Sequence, residues 1–327
     1  MKYLKEHKIL TLSLLFITCI IVIIASLSIG TISFDFFSVI KAIFIADDSS
    51  ARLIVLNSRP PRILVGGMIG ISLSLAGCML QCVMRNDLAS PTTIGVSSGA
   101  SFVGYILLVV FPTLSYLLPI ATIIGALLTT ILIYFLAYNK GVKPLKMILA
   151  GLAISAFLGA INDFIKTFFA SDIANVSGFL VGGLNGITWD TFFKMLPFVV
   201  LAIIFVCFIP NKLNILMLGD ETANSLGLHT QVFRFFLIIV SSILAASAIA
   251  FGGMIGFVGL IIPHIARILV GTNYKYITIA SIFLGFTLMI ISDTIGRVIL
   301  PNSEVPVSII LSFIGVPFFI FLLRRKD

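Results

Sequence analysis

Apolar residues fill this chain in long runs, and short polar clusters separate them. A hydrocarbon core of roughly 30 Å needs about twenty helical residues to cross, whereas a barrel strand would be shorter and would alternate. The runs at 9–29, 63–83, 95–111, 117–138, from 147 onward, 192–209, 235–251, 255–270, 276–291 and 305–323 predict about ten transmembrane helices. The expected fold class is therefore all-α, a polytopic membrane protein forming one transmembrane domain over 1–327.

The punctuation between runs carries further information. Pro60 and Pro61, between Arg59 and Arg62, stop any incoming helix and set where the second span starts. Gly66, Gly70 and Gly77 follow as a stripe of small residues that permits close helix contact. Residues 85–91 read as a short turn. Asn162, Asp163, Lys166, Asp172 and Asn175 accumulate ahead of Gly182, Gly183 and Gly186, predicting half-helices or a re-entrant piece at that end of the fifth span. Trp189 suits an interfacial anchor.

One polar island, within residues 211–234, breaks the pattern. Asp220 and Glu221 stand beside Ala223, Ser225, Gly227 and His229, an arrangement that reads as two short helices separated by a turn. A membrane protein has little reason to carry such a segment unless something soluble binds it.

Composition agrees with the runs: 59% of residues are hydrophobic, 10% are charged and mean hydropathy is +1.20, values foreign to a soluble globular domain. The net charge of +8 does not indicate nucleic acid, because the basic residues sit singly at the ends of apolar runs. Their distribution is topological. With both termini in the cytoplasm, 14 of the 21 lysines and arginines fall inside, the island among them; the outer set comprises Lys41, Arg52, Arg59, Arg62, Lys166, Lys194 and Arg297. The first run is too long for the apolar core of a signal peptide and is expected to be a span.

Candidate chemistry is sparse. Cys19, Cys78, Cys82 and Cys207 lie in apolar segments without metal-ligand or disulfide spacing and read as packing residues. His7, His229 and His264 have no carboxylate arranged beside them in sequence, so no metal site, cofactor or catalytic group is expected. No phosphate loop is present; ATP, if it drives the protein, is hydrolysed on another polypeptide. An ion-coupled secondary transporter would need ionisable groups near mid-membrane, and Asp163 and Asp293 are the nearest candidates.

The motifs, in order, resemble those of the permease subunits of binding-protein-dependent ABC importers for iron–siderophore complexes, haem and cobalamin. The resemblance rests on Arg59-Pro60-Pro61-Arg62 with Gly66 and Gly70, on Gly77 and Gln81 before residues 85–91, and on residues 95–100. It continues through Leu218-Gly219, Ala223 and residues 225–227, residues 256–260, residues 263–267, Asp293, Arg297, residues 304–306 and residues 315–318. It implies a cell-membrane permease, multi-pass in a bacterial inner or plasma membrane, that pairs with a second permease subunit as a homo- or heterodimer.

The same resemblance implies partners and sites. ATP-binding cassette ATPase subunits would receive the island through Asp220, Glu221, Ala223, Ser225, Leu226 and Gly227. An extracytoplasmic substrate-binding protein would dock its carboxylates on Arg59, Arg62 and Arg297, since a guanidinium pairs with carboxylates in two-point geometry. Asn86 and Leu88 match a cytoplasmic gate. Two residues depart from the pattern: Asp87 stands where proline is common, and Ser308 where glycine is frequent. The cargo expected on family base rate is an iron–siderophore complex, with haem and cobalamin as alternatives. Pro263 is expected to kink the eighth span.

Overall fold

The computed structural model describes residues 7–30, 35, 37, 54–138, 144–169, 178–300 and 303–324. Lys41, Arg52, Asp172 and Asn175 lie outside the described residues. The helices, in order, are α1 (Lys8–Ser28), α2 (Arg59–Met84), α3 (Val96–Val110), α4 (Leu118–Ala137), α5 (Pro144–Phe168), α6 (Trp189–Phe208), α7 (Pro210–Met217), α8 (Asp220–Ser225), α9 (Thr230–Gly252), α10 (Val258–Val270), α11 (Tyr274–Val298) and α12 (Val307–Arg324). Seven of the described helices are long and apolar enough to cross a membrane: α1, α2 with the wide helical turn Ile54–Ser58 ahead of it, α4 with its leading turn, α5, α6, α9 and α11. Helices α3, α10 and α12 are apolar but shorter.

Helix α2 is the post around which the others stand. Its prolines occupy the first turn, where a missing N–H costs no helical hydrogen bond. Nearly every residue from Ile63 to Met84 is buried, because α6, α9, α10 and α11 all pack on it. The glycine stripe makes this possible. A Cβ on Gly70 would overlap the Gly285 carbonyl of α11, and one on Gly77 would overlap that of Gly259 in α10. Between these crossings, the Ser74 hydroxyl donates to the Ser281 carbonyl at 2.9 Å, tying α2 to α11. A second close crossing joins α3 to α4, where Gly99 and Gly125 face each other's backbone.

Against this packed post, α5 is bare: of its 25 residues only Met147 and Gly151 are buried. Asn162, Asp163 and Lys166 belong to its regular helix, so the expected irregularity begins later, where Gly182 and Gly186 adopt φ of 80° and 72°. Trp189 donates its indole N–H to the Leu56 carbonyl at 3.2 Å. Pro263 lies inside α10, and the His264 ring meets Phe318 edge-on at 6.1 Å.

Candidate functional site

Charged side chains gather at the two opposite ends of the bundle. At one end, α2 starts, α11 finishes and the chain turns into α12. Arg62 forks onto Asp293, its Nε lying 3.1 Å from each carboxylate oxygen and its Nη2 2.8 Å from Oδ1. Its Nη1 reaches Glu304 at 2.8 Å. Arg297, one helical turn beyond Asp293, shares the carboxylate through Nε at 3.1 Å and gives Nη2 to the Ser26 hydroxyl at 2.6 Å. Arg59 donates to the carbonyls of Leu27 and Ser28, the latter at 3.1 Å. The three arginines singled out in the sequence thus form one cluster with two carboxylates and the end of α1. Arg59 and Arg297 are 5% and 4% exposed, so their charges are held by the protein's own oxygens. Asp293 sits at the centre, with two guanidinium groups on one carboxylate.

At the other end lies the island. Helix α7 buries Leu213 and Leu216 against the bundle, and Asn214 accepts the Tyr274 N–H at 2.9 Å at the start of α11. Helix α8 begins after Gly219 and ends at Ser225; Gly227, with a φ of 81°, then lets the Leu228 N–H return to the Ala223 carbonyl at 3.0 Å. Asn224 accepts from both the N–H and the hydroxyl of Thr230, fixing how α8 leads into α9.

The two faces of α8 differ. Ala223 is fully buried, and Asp220 turns inward, accepting Arg234 through both guanidinium nitrogens at 2.7 and 2.8 Å and Arg85 as well. Glu221, Ser225, Leu226 and Gly227 point away, with Leu218 and Leu226 about 60% exposed (60% and 58%). Of the residues expected to meet an ATPase, Ala223 and Asp220 therefore face their own bundle, because that is where the packing space and the arginines are.

The turn after α2 lies at this same end. Arg85 closes the helix with φ 46° and ψ 39°, and the Asn86 N–H bonds back to the Gln81 carbonyl at 3.2 Å. Asn86 accepts the Leu88 N–H at 2.9 Å through its side chain, a local turn that holds both expected gate residues half-buried. Asp87 pairs with Arg267 of α10 at 3.1 Å, and Arg267 also donates to Gln81, whose amide reaches the Leu260 carbonyl at 3.2 Å. The departure from proline at 87 thus has a partner. Arg85, Arg234 and Arg267 were missing from the expected site. The available signal was charge at the edge of apolar runs, which demands an opposite charge at the same depth. Among the described residues no group of three or more metal-ligating side chains converges.

The chain matches the FecCD transport family over residues 18–325. It belongs to that family. FecCD proteins are permease subunits of ABC transporters, and the ATP is hydrolysed by a separate subunit, so this chain is not itself an enzyme. Relatives cover most or all of its length. The Fe(3+)-citrate import system permease protein YfmE of Bacillus subtilis is 33% identical over 98% of this chain and 97% of its own. The iron(3+)-hydroxamate import system permease protein FhuG of the same organism is 31% identical over the whole of both. The cobalamin import system permease protein BtuC of Halobacterium salinarum is 34% identical over 85% of this chain and 75% of its own. Among solved structures, an inward-facing conformation of a metal-chelate type ABC transporter superposes with a TM-score of 0.83 at 29% identity, covering 96% of this chain and 99% of that one. This FecCD chain is therefore a multi-pass membrane permease of an ABC importer.

Proposed function

We propose that the chain carries an iron–siderophore complex inward as the permease subunit of a binding-protein-dependent importer in a bacterial cell membrane, with both termini and the island in the cytoplasm. The observation that carries this reading is the island itself. Its inward half, Leu213, Leu216, Ala223 and Asp220, is packed on or bonded to the bundle, while its outer half presents Ser225, Leu226 and Gly227 at the end of a short, fixed helix. A rigid mount with an exposed leucine at its tip suits a cleft on an ATPase subunit. The bare face of α5 supports the pairing: it exposes Leu149, Leu152, Phe157 and Phe164, an apolar surface that fits contact with a second permease subunit.

At the far end, the Arg59, Arg62 and Arg297 cluster is the docking point for the binding protein: Arg62 receives a carboxylate by exchange with Glu304, the more exposed of its two partners, while the buried Arg59 and Arg297 stand behind it and add positive charge. Asn86 and Leu88 are the inner gate. The ion-coupled alternative finds less support: Asp293 is held by two arginines, and Asp163 pairs with Lys166 at 2.8 Å on an exposed surface.

Leu226→Glu tests the ATPase contact. Leu226 makes no packing contribution that the bundle needs, so the variant should insert and fold as the parent does while ATP-driven uptake falls at least about tenfold, the usual scale for losing an interface anchor. Gly227 is a poorer probe, because its positive φ strains any replacement. Undiminished uptake by Leu226→Glu would reject the contact.

A further inference from the structure

The island and the inner turn touch, and the contact is ionic. Arg85 projects from the turn, and its Nη2 is shared between the Asp220 carboxylate at the head of α8 and the Leu216 carbonyl, 3.1 Å away, at the end of α7. Arg234 grips the same carboxylate from α9 with two hydrogen bonds and is itself 3% exposed, so Asp220 is fastened to the bundle. On the other side of the turn, two residues along, Asp87 is held by Arg267 of α10, which also holds Gln81 at the last turn of α2. Residues 85–88 are therefore suspended between two oppositely polarised ion pairs.

The backbone is consistent with a held element. Arg85 is one of two non-glycine residues with positive φ among those described, at a helix end where glycine is the usual occupant. The turn is closed by the backbone, the Arg85 and Asn86 amides returning to the Cys82 and Gln81 carbonyls at 3.2 Å each, while Asp220 and the Leu216 carbonyl hold the Arg85 side chain. Asn86 and Leu88 follow directly, so a displacement of α8 is passed to them through one side chain.

We propose that Arg85 is a positioning residue that transmits movement of the Asp220–Ser225 helix to the inner turn 86–88, with the Asp87–Arg267 pair as the fixed anchor against which the turn swings. This rests on the reading of the island as the ATPase-docking segment. The strut makes the position of the turn depend on the position of α8, which converts a change at the ATPase interface into a change at the inner mouth.

The test uses the whole importer, with permease, ATPase and binding protein reconstituted in vesicles, and reads ferric chelate taken up per ATP hydrolysed. Arg85→Gly cuts the strut while adopting the left-handed backbone without strain, which guards against misfolding; Arg85→Met cuts it with the bulk retained, and Arg85→Lys restores a charge. Expected are normal ATPase assembly and thermal stability for all three. Uptake per ATP should fall at least about fivefold in Arg85→Gly and Arg85→Met, the lower end of coupling between linked sites, with most of it regained in Arg85→Lys. Wild-type uptake per ATP in Arg85→Gly would overturn the proposal. So would a parallel loss of assembly and stability in Arg85→Gly and Arg85→Met, which would mark Arg85 as structural. Failure of the wild-type chain to couple uptake to ATP at all would remove the island's assigned role, and this proposal with it.

Discussion

Asp293 is the residue on which the outer cluster depends. One carboxylate, 5% exposed, neutralises Arg62 and Arg297 together, and removing one member of a buried ionic set leaves the others uncompensated. Asp293→Asn is therefore expected to destabilise the chain by about 3 kcal/mol, read as a lowered midpoint of thermal unfolding in detergent. Glu304→Gln has the opposite use. It frees one nitrogen of Arg62 at a position 26% exposed and leaves Asp293 in place, so binding-protein affinity should rise by about twofold or more if partner carboxylates take that nitrogen. Unchanged or weaker docking in a titration would count against exchange at Arg62. The sequence showed the arginines and, within the same motifs, Asp293 and Glu304, but not that they meet: Arg62 and Asp293 are 231 positions apart, and no local periodicity reports such a contact.

At the scale of elements, the glycines of α2 decide which helices can approach it. A side chain on Gly70 would strike the backbone of Gly285, which has no rotamer to yield, and Gly70→Val should cost about 1–3 kcal/mol by overpacking. Gly159 on bare α5 has nothing within 4 Å, so Gly159→Ala should be neutral or stabilising by up to about 1 kcal/mol, through helix propensity alone. Thermal unfolding of both variants beside the parent distinguishes a crossing from mere composition. This stripe was legible beforehand because close helix contact needs small residues at helical spacing, whatever the partner. The two short helices of the island were legible too, from acids followed by small residues and a glycine stop. The inward orientation of Asp220 and Ala223 was not, since which face of a six-residue helix packs is settled by the arginines of α2 and α9.

For the whole molecule, the arrangement is a bundle with a packed post, peripheral helices of which α5 is the least buried, and a polar device at each end. The apolar runs foretold the helices, and the absence of a phosphate loop foretold a separate source of energy. Among the described residues, seven helices meet a spanning length outright, and shorter ones lean on neighbours: α10 enters beside Gly77 of α2, and Phe257 at its start lies against Gly315 of α12. Length alone could not separate these from full spans, because a short helix buried in protein needs no lipid-matching length.

The central claim is that this chain moves a ferric chelate only when an ATPase engages its island and a binding protein delivers cargo at the opposite end. The most direct measurement is uptake of radiolabelled ferric siderophore into vesicles containing the chain, with the ATPase subunit, internal ATP and external binding protein each supplied or omitted. Uptake is expected only when all are present, and to be indifferent to an imposed proton or sodium gradient. Gradient-driven accumulation by the chain alone, without ATPase or binding protein, would contradict the account.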